Sequence, residues 1–201
     1  MFTAAGITKS FRSKHVLQGA NLAVGPGESV AIVGENGAGK STFLNIAAGI
    51  LSPDSGSVQI EGSVGWCPQQ PGLVDLLNAR EHLTLLSAGT ADPHAARTRA
   101  VEMLDLLGFD LDDTTVARDL SGGQRQKLNL ALTMLDDPEV LLLDEPYQGF
   151  DHGTYVNLWD QIGRWTDEGR AVLVITHLLA ERSRVGRVVE VTNGLIAEVT
   201  D

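Results

Sequence analysis

Ser29-Val30-Ala31-Ile32-Val33-Gly34-Glu35-Asn36-Gly37-Ala38-Gly39-Lys40-Ser41 decides the fold: a compact apolar strand runs into a glycine-rich turn that closes on Lys-Ser. Residues 34–41 fit the spacing G-x-x-x-x-G-K-[ST]. Phe43, Ile46, Ala47 and Ile50 then share one face, which predicts a helix over 41–50. Glycines let the backbone curl so that successive N–H groups converge on phosphate oxygens, and the helix start adds partial positive charge. Lys40 is placed for the β- and γ-phosphates of a nucleotide, and the Ser41 hydroxyl for Mg²⁺. The candidate nucleotide contacts are Gly34, Glu35, Asn36, Gly37, Ala38, Gly39, Lys40, Ser41 and Thr42.

Working outward, Val140-Leu141-Leu142-Leu143-Asp144-Glu145 is an apolar strand that ends in two acids. In a parallel sheet such a strand delivers both carboxylates to the ligand-binding edge. There Asp144 is expected to hold Mg²⁺ through water and Glu145 to polarise an attacking water. A third buried strand, 171–175, leads through Thr176 to His177, an imidazole expected near the γ-phosphate. Residues 73–136 read as helical. Asp92-Pro93 starts one helix there and Gly108 ends it, with Ala100, Met103, Leu104 and Leu107 as its apolar face. Asp151 caps a further helix with Tyr155, Leu158, Trp159 and Ile162 inward, and 188–191 and 195–199 form a hairpin across Asn193-Gly194. Before the phosphate loop the chain reads as short strands and turns, and 58–60 as a strand after the turn 52–56. Strands alternating with helices predict an α/β fold with a mostly parallel sheet and an inserted helical subdomain.

Composition narrows the partners. The chain has 201 residues, 43% of them apolar, which suits one sizeable core and one domain. A net charge of −11 disfavours a nucleic-acid partner. Arg182, Arg184 and Arg187 form the one loose basic group, expected to be a solvated helix edge. No apolar run approaches the ~20 residues of a membrane span, and no secretion signal is evident, so a soluble, cytosolic protein is expected. The single Cys67 excludes an internal disulfide.

Leu120-Ser121-Gly122-Gly123-Gln124 separates the phosphate loop from the acidic strand. Ser121 and Gln124 have capping-box spacing, and a helix start rich in hydroxyl and free N–H groups binds anions. The phosphate loop already accommodates one nucleotide. A second anion site is superfluous unless it serves a nucleotide held by a neighbouring subunit.

Phosphate loop, Leu-Ser-Gly-Gly-Gln, acidic strand and His, in this order, closely resemble the nucleotide-binding domain of ABC-type ATPases over essentially the whole chain. The resemblance implies a P-loop NTPase core with an N-terminal antiparallel β subdomain and a helical subdomain at about 73–136, within a single domain over 1–201. It implies ATP and Mg²⁺ as cofactors. Phe11 stands where the family stacks an aromatic on adenine. Gln69 stands at the glutamine that approaches Mg²⁺ and links to the helical subdomain, and Asp151 at the aspartate of the loop that crosses to the partner. In family terms two such domains dimerise head to tail, with ATP between Lys40 of one and Ser121, Gly122, Gly123 and Gln124 of the other. Departures are a short stretch between Ile60 and Trp66, the loop Tyr147-Gln148-Gly149-Phe150-Asp151, and Gly186 near where many relatives have Asp.

The function expected from this resemblance is ATP hydrolysis for a bacterial ABC transporter, with a lean towards export. A transmembrane permease subunit and a second nucleotide-binding subunit, identical or different, are the implied partners. The chain would then sit peripherally on the inner face of the cell membrane, with Leu73, Val74, Leu76 and Leu77 as candidate contacts for the permease. The alternative is a soluble ABC-type ATPase, for example in iron–sulfur cluster assembly.

Overall fold

The computed structural model describes residues 1–176 and 184–199. Two sheets organise them. Strands β1 (Phe2–Phe11), β2 (Lys14–Val24) and β4 (Ser55–Ile60) form an antiparallel sheet in the order β2-β1-β4. The second sheet contains β3 (Ser29–Val33), β5 (Val64–Cys67), β6 (Val140–Asp144), β7 (Ala171–Ile175), β8 (Arg187–Thr192) and β9 (Leu195–Glu198). Its order is β5-β6-β7-β3-β8-β9, parallel throughout except for the terminal β8–β9 hairpin.

The parallel strands read as unbroken apolar runs because both faces are covered. Successive side chains alternate between two cores. Ala31, Leu141, Leu143, Val172 and Val174 face α3 (Pro93–Leu106), α4 (Gly122–Thr133) and α5 (His152–Asp167). Val30, Ile32, Val140, Leu142 and Leu173 face α1 (Lys40–Ala47) and the antiparallel sheet. Trp159 and Trp165 of α5 are fully buried in the first core, while the half-buried Trp66 packs against the second. Burial of side chains this size contributes on the order of 3 kcal/mol each.

Between β5 and β6 run α2 (Ala79–Ser87), α3 and α4. Asp92 caps α3, with Pro93 as its first residue, and Ala100, Met103, Leu104 and Leu107 are buried. Gly108 takes the left-handed conformation that ends it. Helix α2 carries its own capping box, Asn78 with Glu81, inside the zone the sequence marked only as helical.

Three local expectations are corrected. The N-terminal strands are long, because β1 and β2 carry irregularities of register, with positive φ at Gly6 and Gly19. Bulges interrupt the two-residue alternation by which a strand is recognised. Helix α1 stops at Ala47, since Gly49 turns left-handed and leaves Ile50 exposed. Of the basic group, Arg187 is no helix edge: it opens β8 and pairs with Glu28 at 2.8 Å, while Arg184 pairs with Asp160 at 2.8 Å. Arg182 lies outside the described residues. Among the described residues no helix is long and apolar enough to cross a membrane.

Candidate functional site

Four strand ends and one helix start build the site. At the end of β3 the chain turns at Gly34, where a Cβ would come within 2.7 Å of the Val191 carbonyl, so only glycine fits. The loop then curls to Gly39, a left-handed N-cap without a side-chain acceptor, and α1 begins at Lys40. The Lys40 ammonium, only 6% exposed, donates to the carbonyls of Gly34 (2.7 Å) and Glu35 (3.0 Å). These bonds brace the loop across its own mouth.

Strand register explains the opposite wall. Cys67 of β5 pairs with Leu143 of β6, so two residues further on Gln69 stands beside Glu145. Gln69 Nε2 donates to Glu145 Oε2 at 3.0 Å. Asp144, the last residue of β6, is 3% exposed, and Glu145 has a φ of 49°. A non-glycine residue in that region is strained, and such strain gathers at functional sites. Between these walls lies a cleft of about 660 Å³ lined by Lys40, Ser41, Thr42, Gln69, Glu145 and, at its outer end, Phe11. Phe11 is 48% exposed, and the Lys9 ammonium lies 5.8 Å from its ring centroid.

Lys14 and Val16 also line this cleft, and sequence reasoning missed both. Lys14 adds a second cation beside the phosphate loop, its Nζ 4.0 Å from where a Gly37 side chain would begin. No spacing rule reveals it, because its approach depends on how β2 lies over the loop. Ser41, Gln69 and Asp144 are hard oxygen donors, and no cluster of three or more His, Cys, Asp or Glu occurs among the described residues. This donor set fits Mg²⁺ held largely by phosphates and water rather than a caged transition metal. His177 lies outside the described residues. Thr176 before it is buried, and its hydroxyl shares a 2.8 Å hydrogen bond with Tyr147.

The other expected residues gather elsewhere. Ser121 caps α4 in a full capping box: Gln124 N donates to Ser121 Oγ at 3.2 Å, and Ser121 N donates to Gln124 Oε1 at 3.0 Å. A Cβ at Gly123 would strike the Gly149 carbonyl at 2.4 Å, whereas one at Gly122 meets open space. Gly123 is therefore required by packing on the 147–151 loop, and Gly122 is the glycine left facing outward. Asp151 caps α5, accepting from Thr154 N (2.9 Å) and Thr154 Oγ1 (2.7 Å). Those bonds hold its carboxyl down at about 2. None of Ser121, Gly122, Gly123, Gln124 or Asp151 lines the 660 Å³ cleft. A separate crevice of about 550 Å³ lies between the Gln69–Pro71 segment, the start of α4 and Gly149.

Ahead of α2, Leu73 packs against the first core, while Val74 and Leu76 are exposed, Leu76 at 65%. His82 is buried beneath them, accepting from Val74 N at 2.9 Å on Nε2. Its Nδ1 therefore carries the proton and donates to the Asn78 carbonyl at 2.8 Å. Both bonds tie the segment ahead of α2 to the start of that helix.

Residues 17–148 match the sequence profile of a family described as ABC transporter. An aliphatic sulfonates import ATP-binding protein of Corynebacterium glutamicum is 34% identical, over 89% of this chain and 74% of its own length. A daunorubicin resistance ATP-binding protein of Streptomyces coeruleorubidus is 33% identical, over 98% of this chain and 67% of its own. A lipoprotein-releasing system ATP-binding protein of Rhodopirellula baltica is 31% identical, over 98% and 96%. A dimeric ATP-binding cassette in a post-hydrolysis state with ADP and Pi superposes with a TM-score of 0.88 at 25% identity, covering 100% of both chains.

Proposed function

The chain belongs to the ABC transporter family as an ATP-binding, ATP-hydrolysing subunit, and we propose that it drives a separate membrane-spanning permease by closing against a second nucleotide-binding chain. In this reading adenine stacks on Phe11. The triphosphate threads the amides of 34–42 under Lys40, and Lys14 adds charge from the β2 side. Ser41, Asp144 and Gln69 hold Mg²⁺, which when bound neutralises charge on the β- and γ-phosphates. Glu145 orients a water whose oxygen attacks the γ-phosphorus while the bond to the bridging oxygen breaks, leaving ADP and phosphate. The same reading assigns His177 to the γ-phosphate. Ser121, Gly122, Gly123 and Gln124 of one chain, with Asp151 beside them, complete the site of the other.

The observation that carries this reading is the 3.0 Å bond from Gln69 to Glu145 across the cleft from the Lys40 loop. The water-polarising carboxylate is held at the mouth of the phosphate site by the segment that leads into the helical region 73–136. That region, within a single nucleotide-binding unit, is proposed as the subdomain that answers to the permease, through Val74 and Leu76. The permease would hold the chain peripherally at the inner membrane face. Export is the direction proposed; the relatives' names include both an importer and a resistance protein.

Glu145→Gln tests the chemistry. Turnover should fall by about 10²–10⁴-fold with ATP affinity retained, and an ATP-bound pair should accumulate on gel filtration. Undiminished turnover removes Glu145 from its role. Cross-linking in native membranes and mass spectrometry of the captured chain test the permease: a polytopic partner supports it, and a soluble assembly complex favours the non-transport alternative.

A further inference from the structure

Helix α4 is fastened to the sheet by a polar stripe where a helix packing on a strand is ordinarily apolar. Gln126, Asn129 and Thr133 fall at spacings that stack on one helix face. All three donate into the end of β5. Thr133 Oγ1, shared with the Asn129 carbonyl at 2.9 Å, reaches the Trp66 carbonyl at 3.2 Å, and Asn129 Nδ2 reaches the Pro68 carbonyl at 3.0 Å and Cys67 Sγ at 3.2 Å. Gln126 Nε2 lies 3.6 Å from the same sulfur. Gln126 and Asn129 are buried, and burial pushes the Cys67 thiol up to about 12, so the sulfur stays a neutral partner.

Among the described residues β5 is the outer strand of its sheet, paired on one side only with β6. Carbonyls of alternate residues leave a strand on the same side. Those of Trp66 and Pro68 thus have no neighbouring strand to receive them, and α4 supplies the donors. An edge left bare here would strand partly buried acceptors, at a cost of up to about 1–3 kcal/mol each. Pro68 is followed immediately by Gln69, whose amide meets Glu145. At the other end of the same helix stands Ser121, eight residues or about 12 Å from Asn129.

We propose that Asn129 is a positioning residue: its bond to the Pro68 carbonyl fixes Gln69 against Glu145 and makes the Gln69 segment move with α4. A displacement at the Ser121 end, where the partner's nucleotide would press, is then delivered along a stiff helix to the chain's own hydrolytic carboxylate. The inference rests on the two-half-site reading above and supplies the link between the halves. Pro68 is the residue directly before Gln69, and a misplacement of about 1 Å at a reacting centre can cost on the order of 100-fold in rate.

Asn129→Leu keeps the branched heavy-atom shape and removes the donor. In the full chain, binding of a non-hydrolysable ATP analogue should stay within about twofold, because the cleft of Lys40 and Phe11 is untouched, while kcat falls about tenfold. Thr133→Val, isosteric and one contact further from Gln69, should give the same split with a smaller fall, and decides the matter if Asn129→Leu does not fold. Unchanged kcat in a variant with the parental Tm overturns the proposal. So does a parallel loss of affinity and kcat, which marks a merely structural contact. Ser121→Arg separates the two claims. If it still pairs on ATP, the two-half-site reading has failed. If it blocks pairing while Asn129→Leu hydrolyses normally, the link alone has failed.

Discussion

Two helices of this protein begin in glycine-rich turns, and they begin in opposite ways. Helix α1 starts from Gly39, left-handed and with no side chain to accept from its first amides. Helix α4 starts from Ser121, and Ser121 with Gln124 satisfies both the third helical amide and the cap amide. The first start leaves its donors for a ligand, and nearby Lys40 braces the turn from within. The second has already spent its side-chain acceptors on itself. It retains the Ser121 O–H, which can donate while the oxygen accepts, and open space beside the Cα of Gly122. One is a receptor complete in its own chain. The other is a stable helix cap with a small spare capacity, suited to an anion presented by another molecule.

Lys40→Ala bears on the contrast with the largest expected effect. Removing a charge-assisted contact at the α1 end should weaken ATP binding to the isolated chain by about 10–100-fold in a titration with labelled nucleotide. Ser121→Arg comes next. Monomer affinity should stay within about twofold while the ATP-dependent pair disappears by light scattering; equal loss of monomer affinity would mean that both helix starts serve one nucleotide. The glycine pair sharpens the contrast with the smallest effect. Gly123→Ala should lower stability by about 1–3 kcal/mol in thermal unfolding, because the Gly149 carbonyl must move. Gly122→Ala should leave Tm unchanged or slightly raised yet weaken the pair. If both variants pair normally, the outward face of α4 is not a contact.

Much of this was legible because it is local. Spacing alone marks Lys40 and Ser41, the run 140–143 marks the strand that ends in Asp144, and Ser121 with Gln124 marks the α4 cap. Strand register then accounts for a meeting the sequence could not measure, since Cys67 opposite Leu143 brings Gln69 to Glu145. What escaped was set by partners distant in sequence. Lys14 reaches the phosphate loop only because β2 folds over it, Gly123 is dictated by Gly149, and Arg187 finds Glu28 across the sheet. Likewise Asn129 reads as an ordinary polar residue of a helix until the outer edge of β5 is seen beneath it. Bulges hid the length of β1 and β2 for the converse reason: the local alternation that announces a strand is broken there, although the pairing continues.

The distribution of the three indoles gives the molecule its own optical gauge. Trp159 and Trp165 are locked in the core under α5, where the packing leaves little room for their emission to change. Trp66 is half-buried three residues before Gln69, and its carbonyl is the one that Thr133 of α4 holds. With Trp159 and Trp165 replaced by Phe, the remaining fluorescence would come from one ring at the joint between helix and cleft. Stopped-flow mixing with ATP would then time the movement of that joint directly, without a label and before any phosphate is released.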